Sequence, residues 1–149
     1  MSLPFTTLIN AQELAQLGTP EWRLFDCRFD LAAPHSGRQA YDQGHIPGAF
    51  FLDLEQDLSS PPNGLNGRHP LPDPQYLADK LGSLGVGPDT QVVAYDASGG
   101  MFAARLWWML RWLGHDRVAV LNGGLQAWTA LGQPLTAIEP MAVARSFVP

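Results

Sequence analysis

Cysteine is all but missing from this sequence. Cys27 is the only one among 149 residues, so no intrachain disulfide can form. That removes a cross-linked secreted scaffold, and a cytoplasmic setting is expected. Basic residues are few as well: nine Lys and Arg stand against fourteen Asp and Glu, for a formal net charge of −5. With no basic run, no nucleic-acid partner is expected. Long apolar runs are also missing. The longest, Met101 to Leu113, is broken by Arg105 and Arg111 and is too short to span a bilayer, so no membrane partner is expected. The N-terminus shows no basic segment followed by an apolar run, so no signal peptide is expected. His35, His45, His69 and His115 are scattered, with no second His or Cys at ligand spacing. No metal and no cofactor are expected on that pattern.

What is present is an ordinary globular composition. The apolar fraction is 46%, and the length suits one domain with a proper core. The thirteen prolines and fifteen glycines fall between periodic segments, as expected of short elements joined by ordered turns.

The spacing predicts a helix over 7–17, with Asn10 as N-cap, Glu13 at the capping-box position, Leu14 and Leu17 facing inward, and Gly18-Thr19-Pro20 as its stop. Trp22 to Arg28 reads as a short buried strand. Residues 30–37 read as loop, 38–43 as a helical turn, 44–49 as a tight turn and 50–53 as a second strand. Leu58 to Asp73 is a long loop rich in Pro, Gly, Asn and Ser. Helix follows over 74–84, with Asp73 as cap and Pro74 in the first turn. Thr90 to Asp96 is the clearest strand and Phe102 to Leu113 the clearest helix. A strand at 117–121, a turn at Asn122-Gly123-Gly124 and a helix at 125–131 complete the series. Strand and helix alternate, which predicts an α/β fold with a mainly parallel sheet and helices on both faces. Ligands of such sheets bind beyond the carboxyl ends of the strands, here at the loops after Tyr95 and Leu121.

Several residues invite a chemical reading. Cys27 is the only thiol, but a buried structural cysteine is the default. Asp26 and Arg28 are placed to form an ion pair or to bond neighbouring loops. His45 sits in a Gly-Pro turn, where bonding the backbone is its expected task. Gly99 and Gly100 open a helix whose N-terminus would attract an anion, and Asp96 beside it would meet that dipole from within the chain. Asn122-Gly123-Gly124 lacks the lysine of a P-loop and the spacing of a dinucleotide motif, so a turn using positive φ is expected. Trp107, Trp108 and Trp112 cannot all face one core. Either a partner covers part of that helix, or it is buried on both sides.

Four separated motifs then align with one family. They are Asp26-Cys27-Arg28, Gly44-His45-Ile46-Pro47-Gly48-Ala49, the stretch from Val93-Ala94-Tyr95-Asp96 to Arg105-Leu106-Trp107-Trp108-Met109-Leu110, and Leu121-Asn122-Gly123-Gly124-Leu125-Gln126-Ala127-Trp128. In order and spacing the chain resembles the rhodanese family over Thr7 to Pro134. More narrowly it is similar to the N-terminal half of tandem-domain thiosulfate or 3-mercaptopyruvate sulfurtransferases. The resemblance implies a rhodanese-like domain over 1–134, with 135–149 as the start of an interdomain linker or tail. In that family a cysteine after the strand equivalent to Gln91–Tyr95 takes up sulfur as a persulfide, held by loop amides. Here Asp96 stands at that position. The resemblance therefore implies a degenerate active-site loop (Asp96, Ala97, Ser98, Gly99, Gly100, Met101) with no catalytic residue of its own. Asp26, Arg28, His45, Gly123 and Gly124 become fold-motif residues, while Arg105, Trp107, Trp108, Arg111 and Trp112 become candidate interdomain contacts. The implied partner is a second, catalytic rhodanese domain on the C-terminal side. Related phosphatases need Cys followed six residues later by Arg, and those positions hold Asp96 and Phe102. Two alternatives remain: a stand-alone binding or regulatory module of the same fold, and an enzyme that carries sulfur on Cys27.

Overall fold

The structure, a computed structural model, describes residues 4–17, 22–65 and 67–148. Five strands form one sheet: β1 (Leu8–Ile9), β2 (Trp22–Asp26), β3 (Ala49–Phe51), β4 (Gln91–Tyr95) and β5 (Val118–Leu121). Their order is β1-β5-β4-β2-β3, and every pairing is parallel. The helices are α1 (Ala11–Gln16), α2 (Ser36–Gln43), α3 (Pro74–Ser83), α4 (Met101–Trp112) and α5 (Gly124–Ala130).

The strands are buried on both faces, and their period of two sorts the core into halves. Phe25, Val92, Ala94 and Val118 join Leu77 and Leu81 of α3 and Leu106, Met109 and Leu110 of α4. Leu24, Val93, Tyr95, Ala119 and Leu121 join Leu14 of α1, Tyr41 of α2 and Trp128 of α5. Helices thus cover both faces of a parallel sheet.

The helix expected over 7–17 is shorter, because its first residues are claimed by the sheet. Val120 N–H donates to Thr7 O and Asn122 N–H to Ile9 O, which holds Leu8–Ile9 as edge strand β1. A two-residue strand leaves no usable period in the sequence, and only its partner β5 defines it. Asn10 still marks the helix start, with its N–H donating to Glu13 Oε1 at 3.0 Å. The expected stop at Gly18-Thr19-Pro20 lies outside the described residues. Other boundaries move by a residue or two: α2 begins at Ser36 and β3 at Ala49. Helix α3 begins as expected, with Asp73 Oδ1 accepting from Gln75 N–H at 2.7 Å and Pro74 in the first turn.

After α5 the chain runs as an extended strap, the segment expected as linker or tail. Thr136 and His45 exchange backbone bonds of 2.8 Å. Arg145 N–H donates to Gly82 O, and Phe147 is 8% exposed within the α3/α4 half of the core. Gly82 permits that approach, since a Cβ there would lie 2.5 Å from Arg145 O.

Candidate functional site

The parallel register brings the carboxyl ends of β2, β4 and β5 together, and the loops that leave them form the site. Strand β4 delivers Asp96 into the interior, where it is fully buried. Gly99 (φ 77°) and Gly100 (φ 95°) then curl the chain back around it. The result is a closed set of four hydrogen bonds, each 2.9 Å. Oδ1 accepts from the N–H groups of Ser98 and Gly100, and Oδ2 from those of Phe102 and Ala103. The last two belong to the first turn of α4, where N–H groups have no partner within the helix. A carboxylate is well matched to that positive helix end. Met101 stands at the rim, 60% exposed.

The turn after β5 closes the other side. Leu125 N–H donates to Asp96 O at 2.9 Å, and Gln126 Nε2 donates to Ala97 O. Gly123 and Gly124 both have positive φ. A Cβ on Gly124 would lie 2.5 Å from Asp96 O, so only glycine lets the two loops meet this closely.

Beneath lies a second polar network. Asp26, fully buried at the end of β2, accepts from Arg28 N–H, Nε and Nη2 and from the hydroxyl of Tyr95. Arg28 Nη2 also donates to Gly44 O, and Tyr95 OH accepts from Ile46 N–H. Burial alone would lower the Arg28 pKa, but the bond to Asp26 and its charge outweigh that and raise it. Burial, and then the Asp26 charge, push the Tyr95 phenol far up. Each ring nitrogen of His45 lies 2.8 Å from a carbonyl oxygen, Tyr41 O for Nδ1 and Ile138 O for Nε2. Its ring stacks on Tyr41 with centroids 3.8 Å apart. These groups hold loop ends and the strap in place. Sequence reasoning missed Tyr95, whose signal was a phenol at the end of an otherwise apolar strand.

Cys27 N–H donates to Tyr95 O at 2.7 Å, and the residue is buried in the α3/α4 half of the core, outside the set of amides that hold Asp96. Desolvation, then the charges of Asp26, Asp96 and Asp57, push its thiol well up. A thiol so disposed is a poor nucleophile.

The candidate interdomain residues separate into two groups. Arg105 turns back onto the long loop, donating to Leu58 O, Ser59 Oγ and His69 O, and burial lowers its pKa. Trp107 donates its Nε1–H to Thr6 O at 2.9 Å, and Arg111 lies over its ring. Trp108 and Trp112 face outward, 48% and 39% exposed, and stack on each other. Among the described residues no group of three or more His, Cys, Asp or Glu is arranged to hold a metal ion, and no helix is long and apolar enough to cross a membrane.

A parallel sheet with a strand-end loop of inward amides opening a helix defines an α/β domain of the anion-cradling kind. Residues 10–131 match the rhodanese-like domain, and the chain belongs to that family. It is 54% identical over 132 residues to a probable 3-mercaptopyruvate sulfurtransferase of Pseudomonas aeruginosa, a match spanning 87% of this chain and 46% of the relative. It is 40% identical over 125 residues to the thiosulfate sulfurtransferase of Bos taurus, covering 81% of this chain and 40% of that one. The solved 3-mercaptopyruvate sulfurtransferase of Leishmania major superposes with a TM-score of 0.80 at 32% identity, over 97% of this chain and 40% of its own. The structure of SseA from Escherichia coli gives the same score and identity, over 97% of this chain and 56% of its own. The chain thus spans less than half the length of the curated relatives it matches.

Proposed function

We propose that this chain is the N-terminal, non-catalytic rhodanese domain of a cytoplasmic sulfurtransferase. The whole protein would move sulfur from thiosulfate or 3-mercaptopyruvate to a thiophilic acceptor such as cyanide or a thiol. A second rhodanese domain would carry the cysteine persulfide, and this one would complete the fold and wall the cleft. The observation that carries the reading is the occupancy of the Asp96 loop. Its carboxylate already accepts four backbone N–H groups, and a carboxylate oxygen cannot hold transferable sulfur as a thiolate does. The short coverage of the curated relatives supports the second half of the reading.

The test is intact mass after incubation with thiosulfate or 3-mercaptopyruvate, with cyanolysis turnover measured in parallel. The 149-residue chain is expected to gain no sulfur and show no turnover, while the full-length protein does both. A sulfur on the short chain that cyanide removes, and that Cys27→Ser abolishes, overturns the reading and makes Cys27 the carrier. A native reading frame that stops at Pro149 also overturns it, in favour of a stand-alone binding module.

A further inference from the structure

Helix α4 has an outer face with one charged residue, Arg111, where such a face normally carries several. The residues it turns to solvent are Met101, Ala104, Trp108, Arg111 and Trp112, at helical spacing. Four of the five are apolar, whereas the solvent side of a surface helix is ordinarily polar. The inner side is fully used: Phe102, Ala103, Leu106, Met109 and Leu110 are buried against the sheet. The helix is therefore apolar on two sides, and the sheet accounts for only one.

The outer face is ordered in itself. Trp108 and Trp112 stack with centroids 5.9 Å apart and planes inclined by 15°. A fully buried indole hides about 150–250 Å², and with less than half of each ring still open the pair supplies the apolar centre of an interdomain contact and only part of its area. The stripe runs the length of α4, from Met101 at the rim of the Asp96 loop to Trp112 at the other end.

The strap fixes where further chain would emerge. Phe147 lies 5.5 Å from His115 between ring centroids, and residues 145–148 line one cleft with Leu113, Gly114 and His115. Those three residues directly follow Trp112. The last described residues are thus beside the C-terminal end of α4, and more than half of each of these two curated relatives lies outside the matched stretch.

We infer that the Met101–Trp112 face of α4 is the seat of the second rhodanese-fold domain of the same polypeptide, with Trp108 and Trp112 as its anchors. This rests on the proposed function and narrows it to one surface. Trp107 and Arg105 are half-buried and spend their donors within this domain, so the contact is made by the stacked pair and the residues aligned with them.

The experiment uses the full-length polypeptide. Ala104→Cys places a thiol on the exposed stripe, and Ala130→Cys places an exposed control thiol on α5, with the labelled peptides identified by mass. Maleimide is expected to label position 104 at least about tenfold more slowly than position 130, since a covered site reacts only on opening. Adding Trp108→Glu and Trp112→Glu, both on the surface, is expected to raise labelling at 104 to the control rate. Equal rates at 104 and 130 in a protein with two rhodanese domains and full turnover overturn this inference and leave the proposed function standing. Protection that disappears on dilution, together with a dimeric mass, overturns it in favour of a second copy of the chain. Absence of any second domain removes the proposed function itself, a separate result read from the native mass.

Discussion

Arg28 lays its guanidinium against the carboxylate of Asp26, with Nε and Nη2 at 2.9 and 2.7 Å from Oδ2. The carboxylate is fully buried and the arginine side chain is 12% exposed. Each satisfies a charge that the interior would otherwise not tolerate, and Tyr95 and Gly44 complete the set.

Removing one partner should therefore cost more than the pair itself contributes. Arg28→Ala is expected to destabilise the domain by about 3–5 kcal/mol, because it strands a buried carboxylate. Urea unfolding measures it as a lower midpoint at unchanged slope. A loss below about 1 kcal/mol, the range of a surface pair, would show that Asp26 is not held as described.

Asp96 offers a chemical test of its loop. Asp96→Asn replaces one accepting oxygen by an NH₂ group that faces N–H donors, and is expected to cost about 2–3 kcal/mol. Asp96→Cys should instead yield a thiol within reach of the same amides and the α4 N-terminus. Its pKa should fall, and iodoacetamide should alkylate it much faster than Cys27. Equal alkylation rates at positions 96 and 27 would contradict an amide cradle.

Cys27 predicts an alkaline decline in stability. Its folded pKa is raised by burial, so the folded state keeps the proton while the unfolded thiol loses it above about pH 8.5. The folded state then binds more protons, and stability falls as pH rises through that value. The slope approaches about 1.4 kcal/mol per pH unit, before tyrosines add to it near pH 10. Cys27→Ala should flatten the pH 8.5–10 segment of the unfolding profile. An unchanged slope would place the thiol in water.

His115 predicts the opposite sign at acid pH. Desolvation lowers its pKa below the free-histidine value, and Nε2 lies 2.8 Å from Thr90 O. The unfolded imidazole takes a proton first, so this contribution to stability is present above about pH 6.5 and is lost as pH falls through the lower folded value. His115→Gln, which can still donate to Thr90 O, should reduce the drop in urea midpoint between pH 7 and pH 5. The same drop in both proteins would assign it wholly to carboxylates.

Arg105 predicts a local effect. Its guanidinium gathers the carbonyls of Leu58 and His69 and the hydroxyl of Ser59, from both ends of the long loop. Arg105→Leu should speed proteolysis within 58–73 while the remaining elements keep their hydrogen-exchange protection. Uniform loss of protection would mean that the loop and the core open together.

Local pattern carried most of the fold. The strand at 90–96, the helix at 102–113 and the caps at Asn10 and Asp73 depend on neighbours within one turn or one pleat, so they could be read from the chain. The position of Asp96 between that strand and that helix was legible too, because residue order survives without coordinates. Other features arise between residues far apart in sequence. Leu8–Ile9 is a strand only because β5 offers it carbonyl and amide partners. The strap from 133 to 148 has no period, and it is placed by His45, Gly82 and the core around Phe147. Among the three tryptophans of α4 the sequence could say only that they cannot share one face. The packing of α4 on the sheet decided it: Trp107 lies against the core and donates to Thr6 O, 101 residues away, while Trp108 and Trp112 are left to solvent. Sequence determines what is spaced at one turn or one pleat, while closure of the sheet and the loops onto it decides which polar groups find each other.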